Sequence, residues 1–380
     1  MPLSEFFHLL MTFSRKKWHL PTHSRYAVGP RSTNSIGFRR CQMPSYAGID
    51  LHARNSYLGI IDNRDKPLFE KRLPNCLCTI KSVLEPFRRG LAGIVVESTY
   101  NWYWLVDGLQ GAGFKVHLAN PAAIKQYEGL KHTDDQWDSF WLAHMLRLGI
   151  LPEGYIYPKK DRPTRDLLRR RLLFVRQRSA QILSLQSMAT RNLGVNIATN
   201  EIKKMKEASG QRLFDDPDLA FTAVTNISTI NFLKTKIRDI EKRILAKTKL
   251  SPQFVILTTI PGVGNILALT IMLEVGDIGR FAKAGHYSSY CRCVKSEKIS
   301  NNKKKGEGNR KNGNKHLSWA YVEAAHFAAR YCPEAKGFYQ RKKAKSNGAV
   351  ATKSLANKLA RASYYMMRDQ VPFDKDKLFC

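Results

Sequence analysis

Two apolar runs in this chain each end in a carboxylate: Tyr-Ala-Gly-Ile-Asp over Tyr46–Asp50 and Gly-Ile-Val-Val-Glu over Gly93–Glu97. Runs this short and this apolar, bounded by polar or Gly-containing segments, form strands rather than helices. A strand apolar along its length is buried inside a sheet, and a charge at its last residue falls at the sheet's carboxyl edge. Open α/β sheets hold their sites there.

The surrounding pattern completes the sheet. Tyr57–Asp62 and Pro67–Leu73 read as strands, Ile80–Arg89 and Trp102–Gln110 as helices, Phe114–Ala119 as a further strand, and Pro121–Tyr127 as a short helix. This order is expected of an α/β, RNase H/RuvC-like sheet flanked by helices. Thr133 is placed to cap a helix over Asp134–Leu148, and Gly149–Lys160 is a linker punctuated by Pro and Gly. Leu168, Leu172, Val175, Ile182 and Leu185, then Leu233, Ile237, Ile240 and Ile244, repeat at helical spacing with charges between them. They predict paired helices in a coiled-coil arm, with 192–212 as a loop between them. From Ser251 a mainly helical region runs on. The expected division is an unassigned tail over 1–42, an α/β domain over 43–160, a helical arm over 161–250 and a C-terminal domain over 251–380. Met43 stands immediately before the first strand and is expected to be either the functional start or the edge of an appendage.

Four carboxylates are candidates for chemistry. Asp50 and Glu97 terminate their strands, and Asp135 and Asp138, spaced i,i+3, share one helix face. Asp134 and Asp138, spaced i,i+4, share a face as well, so spacing leaves Asp134 and Asp135 both open. Converging carboxylates repel unless cations lie among them. Two Mg2+ ions about 4 Å apart would neutralise such a set and would clamp the attacking and leaving oxygens of a phosphodiester.

Composition points to the same class of substrate. Against 31 Asp+Glu stand 63 Lys+Arg, a net charge of +32, which calls for a polyanionic partner, and nucleic acid fits best. The hydrophobic fraction of 43% excludes a disordered basic tail. Basic residues concentrate in two places. One is the helix after the linker, with Arg162, Arg165, Arg169, Arg170, Arg171, Arg176 and Arg178. The other lies between Arg280 and Lys315, with eleven Lys/Arg against two Glu. Its Gly- and Asn-rich part carries Lys303, Lys304, Lys305, Arg310, Lys311 and Lys315 and reads as a flexible loop gripping a phosphate backbone. Ile260-Pro-Gly262-Val-Gly264 sits between two apolar helical segments, a helix-hairpin-helix-like turn able to offer backbone N–H groups to phosphate. A structural corner fits those residues equally well. Phe254–Leu273 lacks charge but is broken by Pro261, Gly262 and Gly264, so it does not span a membrane. Seven cysteines, an odd number without a secretory signal, imply free thiols and a cytoplasmic setting. The two Cys-x-Cys pairs are too tight for the usual structural zinc spacing.

Taken together these residues resemble the DEDD transposases of the insertion-sequence 110 family, which includes RNA-guided bridge recombinases. The resemblance runs from about Tyr46 onward. It is carried by Tyr-Ala-Gly-Ile-Asp50-Leu-His, Val-Val-Glu97-Ser-Thr and Thr-Asp-Asp135-Gln-Trp-Asp138-Ser-Phe-Trp-Leu-Ala, then Ile-Pro-Gly-Val-Gly-Asn-Ile-Leu-Ala, Ser300-Asn301 and Lys-Asn-Gly-Asn-Lys315. It selects Asp135 over Asp134. Ser139 stands where the family usually has Ala, and Asn301 where it commonly has Gly. The resemblance implies a Mg2+ site on Asp50, Glu97, Asp135 and Asp138, and a serine nucleophile at Ser300, with Ser288, Ser289 and Ser296 as nearby competitors. It also implies donor and target DNA, a noncoding guide RNA, and a homo-oligomer (dimer to tetramer) in which one active site draws its two domains from different protomers. The competing classes are a RuvC-like nuclease using water as nucleophile and a non-enzymatic nucleic-acid-binding protein. An actin-like ATPase is disfavoured because Leu51, His52 and Ala53 replace the Gly and Thr/Ser that approach phosphate there.

Overall fold

The computed structural model describes residues 43–124, 134–248, 251–307 and 312–379. The tail 1–42, the end of the short helix expected over Pro121–Tyr127, and Thr133 lie outside these residues. Five strands form one mixed sheet in the order β3-β2-β1-β4-β5: β1 (Ser45–Leu51), β2 (Asn55–Ile61), β3 (Pro67–Pro74), β4 (Leu91–Glu97) and β5 (Val116–Ala119). β1, β2 and β3 pair antiparallel, whereas β4 runs parallel to β1 and β5 parallel to β4. This is the RNase H-like sheet expected from the element order. The helix expected at Ile80–Arg89 starts earlier and ends sooner, as α1 (Leu77–Leu84), because Pro86 follows it closely. Next comes α2 (Tyr103–Gly111), and after β5 comes α3 (Asp135–Arg147).

Side chains alternate between the two faces of a strand, and that alternation assigns the acids to a face. Ala47, Ile49 and Leu51 of β1 and Ile94 and Val96 of β4 join one core, together with Ile80 and Leu84 of α1 and Leu105 and Leu109 of α2. Val95, of opposite parity, packs instead with Leu142 and Met145 of α3. Asp50 and Glu97 share the α3 parity, and the pairing of Ile49 with Val96 brings them side by side.

α3 comes unusually close to the sheet. A Cβ on Gly48 would lie 1.9 Å from the Ser139 carbonyl oxygen and 2.9 Å from the Ala143 nitrogen, and one on Gly59 would lie 2.7 Å from Ser139 Oγ. Ser139 is itself fully buried, with its hydroxyl donating to the Gln136 carbonyl at 2.8 Å. Two glycines below and one small residue above therefore set the distance between helix and sheet.

The arm is a helical hairpin of α4 (Arg162–Leu193) and α5 (Pro217–Thr248). At its far end Ile182, Leu185 and Met188 meet Ala223, Ile227 and Ile230, whereas at its base Leu168 and Ile244 enter the C-terminal core. The two helices thus run antiparallel, with buried positions at the expected spacing. The segment 192–212 departs from the expected loop. It holds two short helices, Thr199–Ile202 and Glu207–Gln211, and buries Ile197 and Ile202 in the arm core. Its scattered apolar residues are too sparse for a periodic signal yet sufficient to close the arm's end.

The C-terminal region contains α6 (Pro252–Thr258), α7 (Asn265–Val275), α8 (Ala284–Tyr290), α9 (Lys315–Tyr331), α10 (Pro333–Ala344) and α11 (Gly348–Asp369) around one apolar core. Every residue of α7 from Leu267 to Val275 is buried, Glu274 included. The basic segment after Lys298 begins as a β-hairpin rather than a flexible loop, with β6 (Lys298–Ser300) paired to β7 (Lys303–Gly306). Asn301 and Asn302 turn it with φ of 50° and 54°, the left-handed values a two-residue hairpin turn demands and asparagine tolerates. No helix among the described residues is long and apolar enough to cross a membrane.

The close approach at Gly48 yields a direct test. Gly48→Ala is expected to destabilise the protein by at least about 3 kcal/mol, because backbone on both sides must move. Ser139→Ala should stay within about 1 kcal/mol of the parent, since it removes only a local hydrogen bond. Urea denaturation of the two variants measures both.

Candidate active site

The acids are assembled by three elements. β1 brings Asp50, β4 brings Glu97, and the first turn of α3 brings Asp135 and Asp138. Asp134 takes a different part: it is the N-cap of α3, its Oδ1 accepting from the Trp137 N–H at 2.7 Å. The helix start expected at Thr133 is therefore capped by Asp134, and its side chain is engaged with backbone. Asp135 instead faces the sheet, where His52 Nε2 lies 3.1 Å from its Oδ1 and an Arg72 guanidinium nitrogen 2.6 Å from its Oδ2. His52 Nε2 is also 3.0 Å from Asp50 Oδ2. Among the described residues, the partners of the four carboxylates lie between residues 50 and 138.

The electrostatics are those of crowded acids. Burial raises Asp50 above the usual carboxylate range despite the opposing charge of His52. Burial, the charge of Asp50 and a hydrogen bond shared with Asp50 push Glu97 up to about 7. Burial and then Asp50, Asp135 and Asp134 push Asp138 up to about 6. Asp138 Oδ1 is buried with no hydrogen-bond partner among the described residues. An orphaned carboxylate oxygen beside two more carboxyls, one of them 5% exposed, is the donor set a hard divalent cation takes. The residues present fit such ions.

His52 and Arg72 were not singled out from sequence. His52 follows Asp50 by two residues, and its alternation parity was a usable signal. Arg72 pairs with Tyr57 across β2 and β3, a register that sequence does not display.

The residues expected to bind nucleic acid separate into groups. Lys303, Lys304 and Lys305 are exposed on β7, and Arg170 and Lys315 are exposed as well. Arg310 and Lys311 lie outside the described residues. Arg169 is held elsewhere: it makes a bidentate pair with the buried Glu274, at 2.6 and 2.7 Å. Burial disfavours the ionised Glu274, but the hydrogen bonds and charge of Arg169 and a bond from Asn314 hold it below its usual range. Arg171 pairs with Glu241 of α5 at 2.7 Å. Arg162 is buried on Asp107 and the Trp102 and Tyr103 rings, and Arg165 lies over Tyr157. Much of the arginine helix therefore ties the arm to its neighbours instead of facing solvent. Gly262 is likewise structural. With φ of 85° it packs on α9, where a Cβ would lie 2.6 Å from the Ala324 oxygen, while Gly264 opens α7 with free space around it. Ser300 is exposed at the end of β6, directly before the left-handed turn residues Asn301 and Asn302. Of its competitors, Ser288 is buried, whereas Ser289 and Ser296 line a cavity of about 920 Å³ together with Arg292, Lys304 and Lys353. The cysteine pairs form no metal cluster among the described residues; Cys291 and Cys293 are buried free thiols, and Cys76 and Cys78 are exposed.

An RNase H-like sheet with four carboxylates gathered at its carboxyl edge defines a protein whose site suits divalent cations. Residues 47–191 match the profile of the DEDD transposases of IS110, and residues 255–340 match the transposase IS116/IS110/IS902 family. Together they cover more than half of the chain, which belongs to the IS110-type DEDD transposase family. A curated relative, the insertion element IS110 uncharacterized 43.6 kDa protein of Streptomyces coelicolor, is 28% identical over 143 residues. That alignment spans 37% of this chain and 35% of the relative.

The raised carboxyls predict a pH dependence with a definite sign. A carboxyl whose folded pKa exceeds its unfolded value keeps its proton longer in the folded state, so stability falls as pH rises from its ordinary value to its folded one. Metal-free protein should therefore lose thermal stability between about pH 4.5 and 7 through Glu97, and Glu97→Gln should flatten that loss. Melting curves in chelator at pH 5, 6.5 and 8 check it.

Proposed function

We propose that the chain is the DNA transposase of an insertion sequence, cutting and rejoining DNA with a carboxylate-held metal site and Ser300 as nucleophile. The observation that carries this reading is the convergence of Asp50, Glu97, Asp135 and Asp138 on one face of the sheet, with Asp138 Oδ1 left unpartnered. Those residues would hold divalent cations, Mg2+ in the first instance and two per site. When bound, the ions would neutralise the charge that develops on a phosphodiester undergoing displacement.

The chain's own residues supply the rest. Ser300 Oγ would form a bond to a DNA phosphorus as the bond from that phosphorus to one deoxyribose oxygen breaks. The serine proton leaves and the released DNA hydroxyl gains one, so the number of phosphoester bonds is conserved. Attack by a second DNA hydroxyl then regenerates the serine and joins the new strand. No high-energy cofactor is needed. Exposure of Ser300 on a hairpin tip suits attack on a duplex, and Lys303, Lys304 and Lys305 beside it suit the phosphate backbone. Among the described residues the partners of the carboxylates lie between residues 50 and 138, and Ser300 is not one of them. This favours a homo-oligomer in which the hairpin of one copy serves the acids of another. Donor and target DNA are the proposed substrates. A structured noncoding RNA is the proposed source of sequence choice, leaving the protein to grip backbone and shape.

The test uses full-length protein and DNA spanning the ends of its element. Ser300→Ala should retain DNA binding but lose the covalent protein–DNA adduct seen on denaturing gels, and Asp138→Asn should lose cleavage by at least about a thousandfold, the scale of an electrostatic catalytic group. Ser300→Ala that still cleaves, leaving hydrolysed ends, would make the protein a nuclease using water. Unchanged function in Asp50→Asn, Glu97→Gln and Asp138→Asn together would make it a binding protein only. RNA that co-purifies at low salt and is released at high salt is expected; protein free of RNA at low salt contradicts guidance.

A further inference from the structure

Among the described residues, His52 is the one nitrogen-bearing side chain that touches two of the four acids at once. Its Nε2 lies 3.0 Å from Asp50 Oδ2 and 3.1 Å from Asp135 Oδ1, and one ligand atom from each of the three residues falls within 4.8 Å of the others. The ring is 45% exposed, so core packing does not explain its position. Its backbone, by contrast, is fixed from three directions. The His52 N–H donates to the Asn55 carbonyl at 3.0 Å, closing the turn between β1 and β2. The His52 carbonyl accepts from Asn75 Nδ2 at 2.9 Å and from Asn101 Nδ2 at 3.0 Å.

Both amides are themselves oriented. Asn75 Oδ1 accepts from the Ser56 hydroxyl at 2.6 Å and Asn101 Oδ1 from the Thr99 hydroxyl at 2.8 Å, which leaves their NH2 ends to point at His52. Loops after β3 and β4 therefore converge on one peptide group, and the side chain of that residue is delivered to the acids. Such support is what a ligand needs to be held to within a fraction of an ångström.

We propose that His52 is a nitrogen ligand of one of the cations held by Asp50 and Asp135, and that it gives the site a preference for Mn2+ over Mg2+. The proposal rests on the cation-holding role of the carboxylates given above. Imidazole suits the later first-row ions best, and Mn2+, the weakest of that series, still accepts a nitrogen more easily than Mg2+, which strongly favours oxygen and water. An all-oxygen site would treat the two ions by size and charge; a site with one imidazole discriminates by chemistry.

The experiment measures metal binding to the full chain without DNA, by the electron-spin-resonance signal of free Mn2+, with Mg2+ affinity read by competition. Pulsed spin resonance on the bound Mn2+ reports directly coordinated nitrogen. His52→Gln should weaken Mn2+ by about tenfold or more, in the range seen when a metal site loses a supporting group. It should shift Mg2+ by less than about twofold and abolish the nitrogen coupling present in the parent. Absence of nitrogen coupling in the parent protein, or equal weakening of both ions by His52→Gln, overturns the proposal while leaving the carboxylate site intact. Mn2+ binding undiminished in Asp50→Asn overturns the carboxylate site itself, and the proposal with it.

Discussion

The contact between α3 and the sheet at Gly48, Gly59 and Ser139 governs the geometry of everything proposed for this protein. Strand parity alone puts Asp50 and Glu97 on the α3 face, but it does not bring Asp135 and Asp138 near them. That requires a helix whose backbone approaches the strand to within the space of a missing Cβ. Ser139 directly follows Asp138, so the residue that seats the helix and the residue that faces the acids are covalent neighbours. The small side chain at 139 is thus part of the site's construction although it holds no ligand. Asp134 completes it by capping α3, which fixes the helix start and so the direction in which Asp135 projects.

A second interaction organises the other half of the chain. Glu274, buried on α7, receives both arms of Arg169 from α4 and the amide of Asn314, whose own oxygen caps α9 at His316 and Leu317. One carboxylate thereby joins the base of the arm to the start of the helix that follows the basic hairpin. Burying a charge is costly unless it is paired and hydrogen-bonded, and here it is both. The consequence for function is a shift in where the surplus positive charge acts. Arg162, Arg169 and Arg171 face acids inside the molecule, whereas Lys303, Lys304 and Lys305 on the hairpin, Arg170 and Arg176 on α4, and Lys315 are among the basic residues left exposed.

Much of the α/β region was legible from sequence because each strand is short, apolar and punctuated, and because the acids fall at strand ends. The arm was legible from its spacing. Three features escaped for identifiable physical reasons. The 192–212 segment is held by Ile197 and Ile202 docking on the arm, a tertiary contact between residues with no local period. The hairpin after Lys298 was masked by its lysines, although Asn301-Asn302 is a turn that forces the chain back on itself. The arginines of α4 looked like a phosphate grip because composition counts charge without showing its partner. His52 stood in plain view beside Asp50, but its role depends on Asn75 and Asn101, which approach it from loops 23 and 49 residues away.

Everything proposed for the protein's chemistry requires that Asp50, Glu97, Asp135 and Asp138 hold divalent cations at the carboxyl edge of the sheet. Anomalous scattering at the manganese edge from crystals soaked in Mn2+ tests it most directly. At least one strong peak is expected about 2.2 Å from carboxylate oxygens of Asp50 and Asp138. Peaks confined to other parts of the molecule, at saturating Mn2+, would contradict it.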